Sequence, residues 1–285
     1  MAVTAHLVAQ IIERIAPKAW AEDWDNVGLL VGNSSTPIER ILITLDGTLE
    51  VVEEAKAYGA QLIVAHHPII FRPLKNLRTD NVAAQVPLQL LQHQIGYYSA
   101  HTNLDQSIFS SSRALGEVLG LKEMKILEES AYDPSPLLNR GEKGGYGVSG
   151  YLPKPEKLGN VWKHFLGCLK QSGVYAQPYD LAGVRLAGSL ENVVRKVVIV
   201  NGSGARFVQK ALFKGADLLI TGDVDHHAVL DALEGGMAVG DLGHFLSEAP
   251  MLQALYHYLS TDKSLQGIEI RVSSINCSPW LRSIT

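Results

Sequence analysis

Three apolar runs of strand length, "RILITLD" (40–46), "QLIVAHH" (61–67) and "IGYYSAH" (95–101), alternate with two longer segments, "LEVVEEAKAYG" (49–59) and "VAAQVPLQLLQHQ" (82–94), whose apolar residues recur with helical spacing. Strand-length runs separated by helical ones predict βαβ units on a largely parallel sheet. Val, Ile and Leu fill the runs without polar alternation, so both faces of that sheet are expected to be covered. At the N-terminus the pattern of "MAVTAHLVAQIIERIAPKAW" predicts an amphipathic helix with Thr4 as its cap, rather than a signal peptide. "WDNVGLLVG" (24–32) reads as a loop leading into a short strand, with Trp24, Asp25 and Asn26 in capping, positioning or substrate-contact roles.

The pattern recurs. Laying residues 40–67 on 196–223 matches Ile43, Val52, Ala55, Gly59, Ala60 and Leu62 to Ile199, Val208, Ala211, Gly215, Ala216 and Leu218. Both segments follow the plan strand, turn, helix, Gly-Ala, strand. A duplicated α/β unit accounts for this, against the alternative of two ordinary βαβ units converging on the same turn. Between them, 131–158 turns rich in Pro, Gly and Tyr, the composition of a boundary. The expected fold is therefore α/β, with two similar domains related by an internal repeat, each a largely parallel or mixed sheet flanked by helices. Residues 1–130, completed by a helix and strand from 245–285, would form the first, and 131–244 the second. No large inserted domain is expected.

Composition narrows the function. The chain has 285 residues, 46% of them hydrophobic and 19% charged, and a net charge of -4, which provides no basic field for a nucleic-acid backbone. Two cysteines far apart, Cys168 and Cys277, fit reduced thiols and exclude a cysteine-only zinc site. No apolar run approaches the ~20 residues that a bilayer crossing needs, and a cytoplasmic location is expected.

In parallel α/β sheets, ligands bind where the carboxyl ends of the strands converge. Here one expected strand ends in His66 and His67, and the next in "AHTNLD", with His101 and Asp105. In the second half the corresponding ends carry "TGDVDHH", with Asp223, Asp225, His226 and His227, and "AVGDLGHFLSE", with Asp241, His244 and Glu248. Adjacent strand residues point to opposite faces, so the strand must end at His66 if both rings are to share a site. Pro68, which biases His67 towards an extended conformation, suits a chain leaving the sheet. His244 and Glu248, four apart, share a helical face if a helix starts near Gly243. His66, His67, His244, Glu248 and Asp105 form a nitrogen and oxygen donor set suited to Zn, Fe, Mn, Co or Ni, and a pair of such ions would support hydrolysis. His101, Asp225, His226 and Asp241 read as orienting or loop-forming residues. "NGSGARF" (201–207) reads as a plain turn in preference to a phosphate-binding loop.

In order from residue 24 to 248, the motifs "WDNVGLLVG", "AHHPIIF", "AHTNLD", "GYGVSGYLP", "NGSGARF", "TGDVDHH" and "GHFLSE" resemble those of the Nif-three-like proteins, also described as GTP cyclohydrolase I type two homologues. The resemblance implies two similar α/β domains with a dinuclear metal centre in the cleft between them, and a toroidal homohexamer. Carried over by motif, it places metal ligands at His66, His67, Asp105, His244 and Glu248, and His227 near the site as a substrate contact.

The resulting expectation is a metal-dependent hydrolase with two divalent ions per subunit, acting on a small nucleotide-like or heterocyclic substrate, with His227 or His101 shuttling a proton. The alternatives are a metal-binding scaffold without turnover and a ring that binds regulators.

Overall fold

The computed structural model describes residues 2–131, 143–173, 175, 181 and 183–280. Residues 132–142, within the expected boundary segment, lie outside the described residues. In chain order the elements are α1 (Ala5–Glu13), β1 (Gly28–Val31), β2 (Arg40–Thr44), α2 (Leu49–Tyr58), β3 (Leu62–Ala65), α3 (Val82–Gln92), β4 (Gly96–Ser99) and the short α4 (Thr102–Asp105). Then follow α5 (Ser111–Leu119), β5 (Lys122–Glu129), β6 (Gly145–Lys157), α6 (Leu158–Gln171), β7 (Arg185–Ala187), β8 (Val193–Ser203) and α7 (Val208–Phe213). The last are β9 (Leu218–Gly222), α8 (His226–Glu234), β10 (Ala238–Asp241), α9 (His244–Glu248), α10 (Pro250–Thr261) and β11 (Glu269–Val272). Among the described residues the chain divides into two compact units, the first holding 2–107 and 254–277, the second 108–131, 143–253 and 278–280.

The first unit carries a five-stranded sheet in the order β1-β4-β3-β2-β11. Strands β11, β2, β3 and β4 are parallel, and β1 closes one edge antiparallel. The expected elements form for the expected reasons. Thr4 and Thr48 accept from the backbone of Leu7 and Val51 and cap α1 and α2. Gly59 ends α2 in the left-handed region, φ 72°, which turns the chain back into β3. All four residues of β3 are buried, as a strand covered on both faces requires. Leu42, Ile63 and Tyr97 pack with Val51, Val52, Ala55 and Leu90 of the covering helices. Burial of each large aliphatic side chain among them, such as Leu42, Ile63 or Leu90, contributes about 1.5–3 kcal/mol.

The second unit carries a six-stranded mixed sheet in the order β5-β6-β8-β9-β10-β7, with β8, β9 and β10 parallel. Alternate residues of β8 serve opposite faces. Val197 and Ile199 pack with Leu115, Val161 and Phe165 of α5 and α6, whereas Val198 and Val200 pack with Val208 and Ala211 of α7 and Ala232 of α8. The βαβ turn has the same build in each unit. In the first, the backbone of Glu39 and Arg40 donates to the Gln61 side chain, and Gln61 N donates to Arg40 O. In the second, Arg195 and Lys196 donate to Asp217 Oδ2, and Asp217 N donates to Lys196 O.

One element differs from the sequence pattern. The apolar spacing of 244–260 reads as one helix, but the chain forms α9 and α10, with Pro250 opening the second. Proline has no N–H for the helical ladder and is best placed in a first turn.

Candidate metal centre

Because β2, β3 and β4 run parallel, their carboxyl ends lie along one edge of the first unit's sheet. His66 and His67 follow β3. Their backbones are held from both sides: His66 N and His67 N donate to Thr44 O and Leu45 O, while Ser99 Oγ and Tyr97 OH donate to His66 O and His67 O at 2.8 and 2.7 Å. Although adjacent in sequence, their rings lie 4.9 Å apart at 46°, so the strand has ended as expected. His101 joins them, its ring 5.1 Å from that of His66 and 5.4 Å from that of His67.

Each ring is held through Nδ1. His66 Nδ1 donates to Ala100 O at 2.8 Å, His67 Nδ1 to Asp46 Oδ1 at 2.7 Å, and His101 Nδ1 to Asp25 Oδ1 at 2.8 Å. Carbonyl and carboxylate oxygens only accept, so the proton sits on Nδ1 and the lone pair on Nε2. One ligand atom from each of His66, His67 and His101 lies within 4.8 Å of the others, a spacing that can hold a metal ion. Asp105 Oδ1 stands 3.6 Å from His66 Nε2.

Asp25 is the hub of this edge. Burial works to raise its pKa, but the hydrogen bond from His101 and two hydrogen bonds from Thr102 outweigh it and hold the carboxyl at about 2. It also accepts from Asn26 N. Asn103, fully buried, receives a bond from His101 N and donates to Ala16 O at 2.7 Å, fixing the turn that presents Asp105.

In the second unit, β10 ends at Asp241, whose Oδ1 accepts from Gly243 N at 2.7 Å while Oδ2 pairs with Arg185. That fixes the start of α9. His244 and Glu248 share one face of α9, with Nε2 and Oε2 3.1 Å apart, and His244 Nδ1 donates to Asp223 Oδ2 at 2.8 Å. With its Nδ1 proton committed to Asp223, the Nε2 lone pair faces a carboxylate oxygen, and such atoms repel unless a proton or a cation lies between them. A cation fits this donor set. Glu248 is buried. Its carboxylate packs where a side chain on Gly202 would otherwise stand, and Gly202, at φ 65°, is also in the left-handed region.

Of the sequence-predicted residues, His66, His67, His101 and Asp105 belong to the first unit, and His244 and Glu248 to the second. His227 stands apart. It lies exposed in the first turn of α8, where Asp225 caps the helix by accepting from His227 N and Ala228 N, and its ring is 5.4 Å from that of His226. Asp241 orients the α9 turn and Asp225 caps α8. The "NGS" of the glycine-rich stretch belongs to β8, which leaves Gly202 to make room for Glu248. Of the three carboxylates that hold the imidazoles, sequence reasoning gave Asp25 a capping, positioning or substrate-contact role and gave none to Asp46 and Asp223. Two of them sat in plain view: Asp46 and Asp223 each stand within two residues of a strand's carboxyl end.

The family described as Duf34/NIF3 (NGG1p interacting factor 3) matches residues 3–279 of this chain. A "GTP cyclohydrolase 1 type 2 homolog" of Clostridium perfringens is 38% identical over 245 residues, covering 86% of this chain and 87% of the relative. One of Clostridium acetobutylicum is 30% identical and covers 96% of each chain. Among solved structures, the Bacillus cereus protein related to NIF3 superposes with a TM-score of 0.88 at 25% identity, over 99% of this chain and 100% of that one. With its two mixed sheets flanked by helices and its histidines gathered at strand ends, this chain belongs to the Duf34/NIF3 family.

Proposed function

We propose that this protein is a divalent-metal-binding hydrolase of a small nucleotide-like or heterocyclic substrate, with His66, His67, Asp105, His244 and Glu248 acting as one ligand set for two ions. The observation that carries this reading is the shared build of four histidines. His66, His67, His101 and His244 each commit Nδ1 to an oxygen acceptor, the arrangement typical of imidazoles that ligate a metal through Nε2. The family motifs support joining the residues of the two units into one set. The matched turns around Gln61 and Asp217 support reading the two βαβ cores as copies of one unit. A GTP cyclohydrolase-type activity is drawn from the names of relatives alone.

A bound divalent ion would supply Lewis-acid activation of water and substrate. The chain's own residues do the rest. Asp25 holds His101 in one tautomer, so that His101 Nε2 can accept a proton during the reaction, while Asp46 and Asp223 fix the planes of His67 and His244. His227 is proposed as a second proton-transfer or substrate-contacting group. A homohexamer is proposed on the family resemblance. No helix of the described residues is long and apolar enough to cross a membrane.

The test is metal analysis of the purified protein and of His66→Ala and Glu248→Ala, followed by a screen of nucleotides, phosphoesters and cyclic amides. The expected result is about two ions per chain in the wild type, loss of at least one in each variant with unchanged circular dichroism, and turnover that follows metal content. Variants that keep the full complement of metal would show the ligand set to be wrong. Metal without any turnover would favour the scaffold reading.

A further inference from the structure

Trp24 and Phe71 are both large and apolar, yet 57% and 51% exposed. Their rings lie 5.7 Å apart at 59°, and Trp24 meets the His101 ring nearly edge-on, 6.1 Å away at 73°. Scattered exposed aromatics are ordinary on a protein surface. Here two are held together, against a histidine of the candidate site. Neither loop is slack: Asn26 Nδ2 donates to Ile70 O at 2.6 Å, tying the loop of Trp24 to the loop of Phe71. Asp25, between Trp24 and Asn26 in sequence, is the carboxylate that fixes His101 and Thr102. The bonds that orient His101 therefore also set the two exposed rings, so a ligand would meet them already ordered. The loop beyond Phe71 is basic. Arg72 and Lys75 are exposed and take part in no ion pair among the described residues, whereas Arg78 is neutralised by Asp80.

The geometry points to a subsite in which Trp24 and Phe71 hold a planar heteroaromatic ring, a nucleobase or a base-like heterocycle, beside His101, with an anionic substituent of the same molecule drawn to Arg72 and Lys75. This deepens the proposed function and rests on it for the reacting group that would lie next to the ring. Stacking explains the choice of occupant. A flat π-system gains from both a face and an edge contact with tilted aromatics, and a sugar or aliphatic chain of equal size gains less. The pair sets which molecules bind and takes no part in holding metal.

The experiment is calorimetric titration of zinc-loaded protein with GMP, AMP and ribose 5-phosphate. It is run on the wild type, Trp24→Ala, Trp24→Phe and Phe71→Ala, with zinc content and solution mass measured for each. Trp24 is exposed, so its truncation should leave the fold intact. The wild type is expected to bind either nucleotide at least about tenfold more tightly than ribose 5-phosphate. Trp24→Ala should lose roughly tenfold or more towards the nucleotides, Phe71→Ala somewhat less, and Trp24→Phe should recover most of the loss. Ribose 5-phosphate affinity should change less than about twofold and zinc content should not change. Unchanged nucleotide affinity in Trp24→Ala, or a wild type that does not prefer nucleotide to sugar phosphate, would overturn the subsite. So would a Trp24→Ala variant that keeps its nucleotide affinity but falls to a smaller solution mass, which would assign the rings to a contact between copies of the chain. Zinc that fails to bind the wild type sinks the metal reading instead, and the ring preference is then read on the metal-free protein, so the two failures separate.

Discussion

Laid on one another with the 156-residue offset, the strand ends of the two units make opposite choices. After β2 the first unit places Asp46, and after β3 it places His66 and His67; the second unit has Gly202 and then Gly222 and Asp223. In the first unit, side chains fill the edge themselves: His66 stands on the strand end and Asp46 orients its neighbour His67. In the second, the glycines leave the edge bare and α9 settles onto it. A side chain at Gly222 would meet Gly243 O and Ser247 Oγ at 2.7 Å, and one at Gly202 would collide with Glu248. Gly202 N donates to Ser247 Oγ at 2.9 Å, and Ser111 Oγ donates to Glu248 O at 2.6 Å, so the helix is stitched down. The same topology thus delivers donor atoms in two ways, from loops that carry them directly and from a helix that needs a vacant floor. The strand-end aspartates follow the same division. In the first unit the aspartate after β2 orients an imidazole from the next strand, and in the second the aspartate after β9 orients one from α9.

The largest effect should come from filling the vacant floor. Gly202→Ala adds a Cβ against Glu248 at a positive φ, whereas Gly120→Ala, at φ 75°, adds one with nothing within 4 Å. Both carry the backbone cost of about 1–2 kcal/mol. Gly202→Ala should lose more stability in urea unfolding and should also lose bound metal, because Glu248 is pushed off its position. Equal losses in the two variants, with metal retained, would remove the argument that glycine is there for Glu248.

A smaller effect tests the orienting aspartates, and here burial ranks the two units. Asp46 holds His67 at side-chain exposures of 34% and 21%, while Asp223 holds His244 at 54% and 35%. Removing a carboxylate that orients a metal-bound imidazole typically weakens metal binding about 10- to 100-fold. Asp46→Asn should fall within that range. Asp223→Asn, whose contact is more screened by water, should fall below about tenfold. Competition with a chromophoric chelator measures both, and the reverse order would break the ranking.

The same comparison shows what could be read from the sequence. The strands and helices around 40–101 were legible because burial on both faces leaves an unbroken apolar run, and Thr48 and Gly59 punctuate α2 where caps are needed. The histidines were legible because strand ends of a parallel sheet share one edge. Which carboxylate anchors which ring was not. Asp25 and His101 are 76 residues apart, and nothing in the spacing pairs them, since that contact depends on β1 lying beside β4. The purpose of Gly202 was equally hidden: a glycine chosen for the room it leaves looks the same in sequence as one chosen for a turn.

The smallest expected effect reports how tightly the first unit's edge is closed. Cys277 lies against that edge, its Sγ 3.9 Å from Asp46 O. Burial, with the Asp46 charge behind it, pushes its thiol up to about 11, so at pH 8 only about one molecule in a thousand carries the reactive thiolate. Cys168 is half-buried on α6 in the second unit, its Sγ 3.5 Å from His164 Nε2. Iodoacetamide at pH 8 should therefore modify Cys168 first and Cys277 at least about tenfold more slowly, as read by peptide mass mapping over time. Asp46→Asn removes the charge that disfavours the thiolate, so Cys277 should react faster in that variant while Cys168 keeps its rate. A Cys277 that reacts as quickly as Cys168 in the wild type would mean that the edge carrying His67 is open to solvent, and the burial ranking of Asp46 over Asp223 would fall with it.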